Sequence, residues 1–343
     1  MYTLVIEHVD VVTQSLDADS LASRCPSLNE EPDLVLYTSS GEIGVLTQLV
    51  VSAWMDTSLS RHPKARHAFV AMGCTGWYAG ILEFARSQAR RAHLFLLEIP
   101  RSYTQSRLDA AGIGVGGEGL IAKESVALMV LVKKRVDELR PNDVIVNACT
   151  ILAKPMGLRG TEALLLKLRG WLLAQTCNER PLDWVSFAIA SSWSEQLMRG
   201  FERWVYPSVP IAEALPSVET DFDHWLTAKP VLDYLHHRER LATGRLALSC
   251  LGAGGRLGVA IIGHAISSAF TGQEKEIHAY AMGHVQWHPN LFLNDPEKPL
   301  YCAPEYRHHD NAYHLWELGC HSRQSSSSIQ SSTEQTYKEK HRS

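Results

Sequence analysis

The stretch from residue 67 to residue 86 constrains the fold most, because an apolar run there stops at Gly73 and Cys74 just before helical spacing begins. The run predicts a buried strand and a tight turn, and the apolar residues after the turn recur every three or four positions, as in a helix. Arginines crowd the end of this predicted helix, where cations suit the helix dipole. The pattern therefore places Cys74 at the amino end of a buried helix.

A cysteine at that position has two interpretations. The unpaired backbone N–H groups and the dipole of a helix amino terminus stabilise a thiolate, which makes the sulfur a usable nucleophile near neutral pH. A free cysteine is also a small hydrophobic side chain that is often simply buried. The local pattern is consistent with both.

Composition narrows the class of protein. With 343 residues, 45% of them hydrophobic, the chain can bury a large core, which favours two domains or one duplicated domain. A net charge of −4 and scattered basic residues argue against a general nucleic-acid binder. The sequence shows neither a charged-then-apolar leader nor an apolar run long enough to span a bilayer, which predicts a soluble, cytoplasmic protein. Seven irregularly spaced cysteines indicate free thiols.

An alternation of apolar strands and helices occurs twice along residues 1–264. Predicted strands cover 2–12, 33–38, 68–72, 94–99 and 124–133 in a first half (1–137), and 143–151, 183–190, 245–251 and 257–262 in a second half (138–264). Predicted helices cover 18–23, 43–55, 74–86, 161–177, 192–205 and 228–242, and the stretch 206–223 is expected to be irregular. This order predicts a pseudo-duplicated α/β fold with a mostly parallel sheet covered on both faces.

Three segments, in this order and spacing, resemble a known family. They are the nucleophile-like turn at 72–79, the strand-like segment 182–185, and the helix, strand and glycine loop from 232 to 258. Over residues 1–264 the chain resembles the β-ketoacyl-acyl-carrier-protein synthase III branch of the thiolase superfamily. That resemblance implies a duplicated, five-layered αβαβα fold, usually dimeric, which loads an acyl group onto Cys74 and transfers it to a second substrate.

The departures from the family bear on the reaction. Family enzymes hold the thioester carbonyl and assist decarboxylation of a malonyl unit with a histidine and an asparagine. The histidine position falls on Ala188, and the asparagine position falls on Asp223, beside His224. Some relatives that pass acyl groups to hydroxyl or amine acceptors carry aspartate at that position, so the resemblance favours plain acyl transfer. The catalytic candidates are therefore Cys74, Asp223 and His224, with His224 as a replacement base.

The glycine loop at 252–258 is the other candidate element. As a phosphate cradle it is weak, because a dinucleotide fingerprint follows an early strand and opens a helix, whereas this loop comes late and leads into a strand. The resemblance implies that Gly252 and Gly254, with the Cys74 amide, supply an oxyanion hole. A plain turn between two strands is the alternative.

The segment 265–323 lies beyond the resemblance and is rich in histidine and aromatic residues. It lacks the Cys-x-x-Cys or His-Glu-x-x-His spacing of a zinc site, so an irregular extension is expected and no metal is predicted. Residues 324–343 are serine-rich and charged, which predicts a disordered tail.

Two functions remain open from the sequence. The first is an acyltransferase of fatty-acid-like or secondary metabolism that takes its acyl group from a carrier-protein or coenzyme A thioester and needs no cofactor. The segment after the first strand, where the family clamps the coenzyme A adenine, is shorter in this chain, which argues against coenzyme A recognition. The second is a catalytically impaired partner subunit that dimerises with an active ketosynthase-like chain. A homodimer or such a heterodimer is expected, without a nucleic-acid or membrane partner.

Overall fold

The computed structural model describes residues 2–12, 30–39, 61–71, 73–98, 121–153, 160–176, 182–186, 192–218, 223–252, 256–265 and 314–318. Strands β1 to β13 are Tyr2–Val12, Leu34–Ser39, Arg66–Ala71, Arg91–Glu98, Ile121–Ala122, Ser125–Arg135, Val144–Ala153, Leu182–Val185, Ile211–Leu215, Asp223–His224, Arg245–Gly252, Arg256–His264 and His314–Leu318. Helices α1 to α4 are Gly76–Arg86, Gly160–Thr176, Ser192–Trp204 and Lys229–His237. Short 3-10 turns are Gly73–Thr75, Val136–Glu138, Tyr206–Ser208, Leu226–Ala228 and Arg238–Ala242.

Eleven of these strands form one sheet, in the order β13-β3-β2-β4-β6-β1-β7-β12-β11-β8-β9. Apart from β13, the order is the same in both halves when it is read outward from the centre. The first half runs β1-β6-β4-β2-β3, and the second runs β7-β12-β11-β8-β9. Strands β1 and β7 join the halves in antiparallel pairing. The predicted duplication is therefore visible in the strand order.

The direction of the strands repeats as well. Strand β2 pairs in parallel with β3 and β4, and strand β8 pairs in parallel with β9 and β11. In each half the two remaining strands are antiparallel to their neighbours. The sheet is therefore mixed, with one parallel three-strand group in each half, and the predicted duplicated α/β fold is confirmed.

Helices α1 and α4 lie between the halves. Helix α1 contacts β2, β3 and β4 of the first half and β7 and β12 of the second, while α4 contacts β11 and also β1. A large hydrophobic core forms around them from apolar side chains of both halves. Helices α2 and α3 cover the other face of the second half, where Trp184 and Phe201 pack together. The helices predicted at 18–23 and 43–55 lie outside the described residues.

Burial explains why these strands form. Strands β2 and β11 are buried along their whole length, as expected for central strands covered on both faces. Gly258 in β12 permits the close approach of α1, because a Cβ atom there would lie 2.1 Å from Cδ2 of the Tyr78 ring. A side chain at Gly258 would push the helix off the sheet. Among the described helices, none combines the length and the hydropathy that crossing a bilayer requires.

Two stretches differ from the sequence-based expectation. The region 206–223, expected to be irregular, contains a 3-10 turn and the edge strand β9. Its middle residues Ala212, Glu213 and Ala214 are exposed, so the strand lacks the apolar alternation that reveals half-buried strands. Within the segment 265–323, His314–Leu318 form β13, which pairs in antiparallel fashion with β3. The tail at 324–343 lies outside the described residues.

Candidate active site

Cys74 lies in the 3-10 turn between β3 and α1. Its side chain is buried, with 6% of the residue surface exposed. The turn packs tightly because Gly76 has no side chain: a Cβ atom there would lie 1.9 Å from Oγ1 of Thr38 and 3.1 Å from Cγ2 of Thr227. The first residue of α1 therefore sits against residues from both halves of the molecule.

His224 meets the sulfur from the second half. Its Nε2 lies 3.5 Å from Cys74 Sγ, although the two residues are 150 positions apart, and His224 is 2% exposed. A neutral imidazole with its proton on Nδ1 accepts the thiol proton through Nε2, and an imidazolium donates to the thiolate. The sequence candidates Cys74 and His224 thus form a buried thiol–imidazole pair.

The backbone at His224 is held in a small second sheet. Strand β10 pairs in parallel with β5, with Asp223 opposite Ile121 and His224 opposite Ala122. The Lys123 N–H also donates to the His224 carbonyl oxygen at 2.9 Å. The structure places the backbone of Asp223 next to the pair but does not describe its side chain.

The chain then turns through Leu226 in the left-handed region, with φ of 55°. A branched, non-glycine residue in this conformation costs roughly 1–3 kcal/mol and persists only when its surroundings fix it. Here the Leu226 side chain is buried in the central core, and the Cys250 thiol lies 3.9 Å from the Leu226 carbonyl oxygen. This strained turn directs the chain from His224 toward α4.

Thr227, next in the turn, is bound to a buried acid. Its backbone N–H donates to Oε1 of Glu98 at 3.0 Å, and its hydroxyl donates to the same oxygen. Glu98 is the last residue of β4 and is 1% exposed. Charge-assisted hydrogen bonds of this kind offset part of the cost of burying a carboxylate.

A buried ion pair fixes the helix that follows. Lys229 Nζ lies 2.6 Å from Oδ2 of Asp233 and also donates to the carbonyl oxygens of Ser186 and Ser249. The other Asp233 oxygen accepts from the Ser217 hydroxyl and from the Val218 N–H. The pair ties α4 to the ends of β8 and β11.

The oxyanion-hole candidates are described in part. Gly252 ends β11, and a Cβ atom on it would lie 3.5 Å from Cγ2 of Thr75, the residue after Cys74. Gly254 lies outside the described residues, as does Ala188. The structure therefore brings Cys74, His224 and Gly252 to one place, and the roles proposed for the glycines stay predictions.

Sequence reasoning missed Glu98 and Thr227. The signal available for Glu98 was an acid directly after the apolar run 94–97, where a fully buried strand ends. Thr227 carried no such signal, because a threonine before a helix is common.

No group of three His, Cys, Asp or Glu side chains within the described residues is placed to hold a metal ion.

No protein-family profile matches the sequence, and no curated protein does. Solved structures do match. The oxazolomycin ketosynthase domain of Streptomyces albus has a TM-score of 0.51 and 12% identity over 71% of this chain and 57% of that one. The ketosynthase from module 6 of the bacillaene synthase of Bacillus subtilis also has a TM-score of 0.51, with 11% identity over 74% of this chain and 56% of that one.

A third match is 3-oxoacyl-(acyl carrier protein) synthase III from Pseudomonas aeruginosa, with a TM-score of 0.45 and 13% identity over 76% of this chain and 98% of that one. This chain thus spans little more than half the length of the two ketosynthases it matches. At such low identity, the two ketosynthase matches show that the fold is shared and show nothing about activity. The protein has the thiolase-type fold, as the sequence resemblance implied.

Proposed function

We propose that this protein is an acyltransferase that carries an acyl group on Cys74, taking it from a thioester and passing it to a nucleophilic acceptor. One observation carries the proposal: the 3.5 Å contact between Cys74 Sγ and His224 Nε2, in the turn that precedes α1. A thiol beside an imidazole is an activated nucleophile, and the two residues come from different halves of a fold that ketosynthases share.

Loading begins when His224 Nε2 takes the Cys74 proton. The sulfur attacks the thioester carbonyl carbon, and the tetrahedral oxyanion collapses as the carbon–sulfur bond to the donor breaks. The proton returns from His224 to the departing thiol, which leaves an acyl-enzyme on Cys74. The Cys74 and Gly252 N–H groups are our candidates for holding the oxyanion, with Gly254 as a further donor.

Transfer repeats the chemistry with an acceptor. His224 removes the proton from a hydroxyl or amine, which attacks the acyl carbon and expels the Cys74 thiolate, and the imidazolium returns its proton to that sulfur. Asp223, the residue before His224, is proposed to orient the acceptor or the imidazole. Decarboxylative condensation needs two donors at the malonyl carbonyl, and Ala188 stands where the family has one of them. We therefore favour plain acyl transfer.

The acyl donor is proposed to be a carrier-protein or coenzyme A thioester, and the protein is proposed to work as a cytoplasmic dimer without a cofactor. A second candidate is a catalytically impaired subunit that dimerises with an active ketosynthase-like chain. The alanine at position 188 supports that candidate, while the Cys74–His224 contact supports the enzyme.

The test is intact-protein mass spectrometry after incubation with acetyl, butyryl, octanoyl and malonyl thioesters of coenzyme A and of an acyl carrier protein. We expect one acyl adduct, absent from Cys74→Ala and retained in Cys149→Ala, with loading slowed about a hundredfold or more in His224→Ala. Rapid release of CO₂ from the malonyl thioesters would restore a condensing role. Absence of any adduct, with tight association to a second ketosynthase-like chain, would select the partner-subunit function.

A further inference from the structure

Glu98 is a buried acid that the proposed chemistry does not use. We infer that it is a positioning residue, which holds His224 against Cys74 through Thr227; the inference rests on the proposed function of the Cys74–His224 pair. Glu98 comes from the first half, whereas Thr227 and His224 come from the second. The hydrogen bonds of Glu98 therefore cross between the two halves, as the Cys74–His224 contact does.

Two hydrogen bonds join Glu98 to Thr227. Both the N–H and the hydroxyl of Thr227 donate to Oε1. A buried carboxylate is costly to keep, and an apolar residue in its place would continue the buried run of β4. Two donors from one residue on one oxygen fix the position of Thr227 more strongly than packing alone.

Thr227 is three residues from His224, and the chain between them is held at both ends. At the first end β10 pairs with β5, and Lys123 N–H donates to the His224 carbonyl oxygen. At the second end Thr227 is bound to Glu98. Leu226 lies between them with φ of 55°, a conformation that relaxes when its surroundings no longer enforce it. Loss of the bond to Glu98 therefore lets the turn relax, and this change in the backbone displaces His224.

Close packing of Thr227 on Gly76 further limits where Thr227 can lie. Cγ2 of Thr227 would lie 3.1 Å from a Cβ atom on Gly76, two residues after Cys74. Thr227 thus packs on the turn that carries the nucleophile while it is bound to Glu98. A shift of Thr227 changes the distance between Cys74 and His224 from both sides.

The experiment measures iodoacetamide alkylation of Cys74 between pH 5 and pH 9, resolved by peptide mass spectrometry. Thr227→Val keeps the branched shape but removes the hydroxyl, and Thr227→Ser keeps the hydroxyl. Glu98→Ala removes the acceptor, and Glu98→Gln keeps one acceptor oxygen. Cys149, which is buried in β7, reports in the same sample whether each variant is folded.

We expect Thr227→Val and Glu98→Ala to lower the Cys74 rate at pH 7 about tenfold, within the range of coupled contacts, and to make the pH profile resemble that of His224→Ala. Thr227→Ser and Glu98→Gln should stay within about threefold of the wild type. In a His224→Ala background, Thr227→Val and Glu98→Ala should cause no further loss, because they act through the imidazole. If Glu98→Ala exposes Cys149, Thr227→Val still decides the question.

Two results separate the inference from the function beneath it. Equal losses from Thr227→Val with and without His224 would overturn the positioning role while leaving the reactive pair intact. A Cys74 rate and pH profile that His224→Ala leaves unchanged would instead overturn the proposed thiol–imidazole pair, and with it the inference.

Discussion

The two halves of the molecule reach the candidate site by the same route. In the first half, β3 leads through the 3-10 turn Gly73–Thr75 into α1 and back along β4. In the second half, β9 leads through β10 and the 3-10 turn Leu226–Ala228 into α4 and back along β11. The two turns contact each other. Duplication has therefore placed two equivalent turns face to face, and the thiol and the imidazole come from opposite sides of that junction.

The turns differ in what holds them. The turn Gly73–Thr75 packs closely on its neighbours because the next residue is Gly76, where a Cβ atom would clash with Thr38. The second carries a strained Leu226 and is fixed by hydrogen bonds to Glu98 and by the Lys229–Asp233 ion pair. A close-packed turn thus presents the nucleophile, and a hydrogen-bonded turn presents the base. Each turn can be broken by its own kind of substitution.

The largest effect is expected from the ion pair of the second half. Lys229→Met leaves the fully buried Asp233 carboxylate without its cation, which should lower the free energy of unfolding by about 3–5 kcal/mol. Urea unfolding followed by tryptophan fluorescence measures the loss.

The control is the double variant Lys229→Met with Asp233→Asn. Asparagine keeps a carbonyl oxygen for the Ser217 hydroxyl and the Val218 N–H but carries no charge. It should recover a large part of the lost stability. Equal stability of Lys229→Met and the wild type would show that the pair does not fix α4.

Gly76→Ala tests the close-packed turn. The added methyl group meets Thr38 from the first half and Thr227 from the second, so we expect a loss of about 1–3 kcal/mol in the free energy of unfolding. Slower alkylation of Cys74 should accompany it, because the two turns move apart. The matched control is Gly170→Ala in α2, where a Cβ atom meets nothing within 4 Å. Better helix propensity should make that variant about 0.5–1 kcal/mol more stable.

Most strands and helices of the two halves could be predicted from the sequence, because buried elements leave a strong periodic pattern of apolar residues. The apolar runs of β1, β2, β4, β6 and β11 and the spacing of α1 and α2 identified the elements, and their order indicated the duplication. The edge strand β9 was missed because its middle residues face solvent. Strand β10, with two residues, is too short to show any period.

The candidate site was predicted unevenly for a physical reason. Cys74 has a local signal, a turn between an apolar run and a helix, and His224 was found only by counting from a neighbouring motif. Glu98 and Thr227 are 129 positions apart, and their hydrogen bond depends on how the halves dock. No local pattern encodes that docking, so the positioning contacts required the structure.

The smallest expected effect concerns the faces of the sheet that lie away from α1 and α4. In the second half this face is apolar, with Trp184 and Ala247 packed under α2 and α3. In the first half His67 and His93 both pair with Val35 in β2, so they share a face with it. His62 packs edge-on against His93 at 5.1 Å. The first half thus buries imidazoles on this face, where the second half buries apolar side chains.

Acid should therefore loosen the first half before the second. Burial, with the nearby positive charge of His62, Arg91 and His67, lowers the pKa of His93 from 6.5 to about 3. Because the unfolded chain binds the proton more readily, stability is complete above pH 6.5 and is lost as the pH falls toward 3. For His93 alone, linkage gives about 2 kcal/mol between pH 7 and pH 5. Burial also lowers the pKa of His62 and His67, which adds to the effect in the same direction.

The measurement is the free energy of unfolding by urea at pH 7 and pH 5, with hydrogen exchange resolved by peptide. His93→Leu removes the titration, so its loss between the two pH values should be smaller than that of the wild type by about 2 kcal/mol. In the wild type at pH 5, amides of β2 and β4 should exchange faster than those of β8 and β11. An equal loss of stability in the wild type and in His93→Leu would show that His93 accepts a proton in the folded protein without cost. Equal exchange of the two sets of strands would show that the two outer faces respond alike to acid.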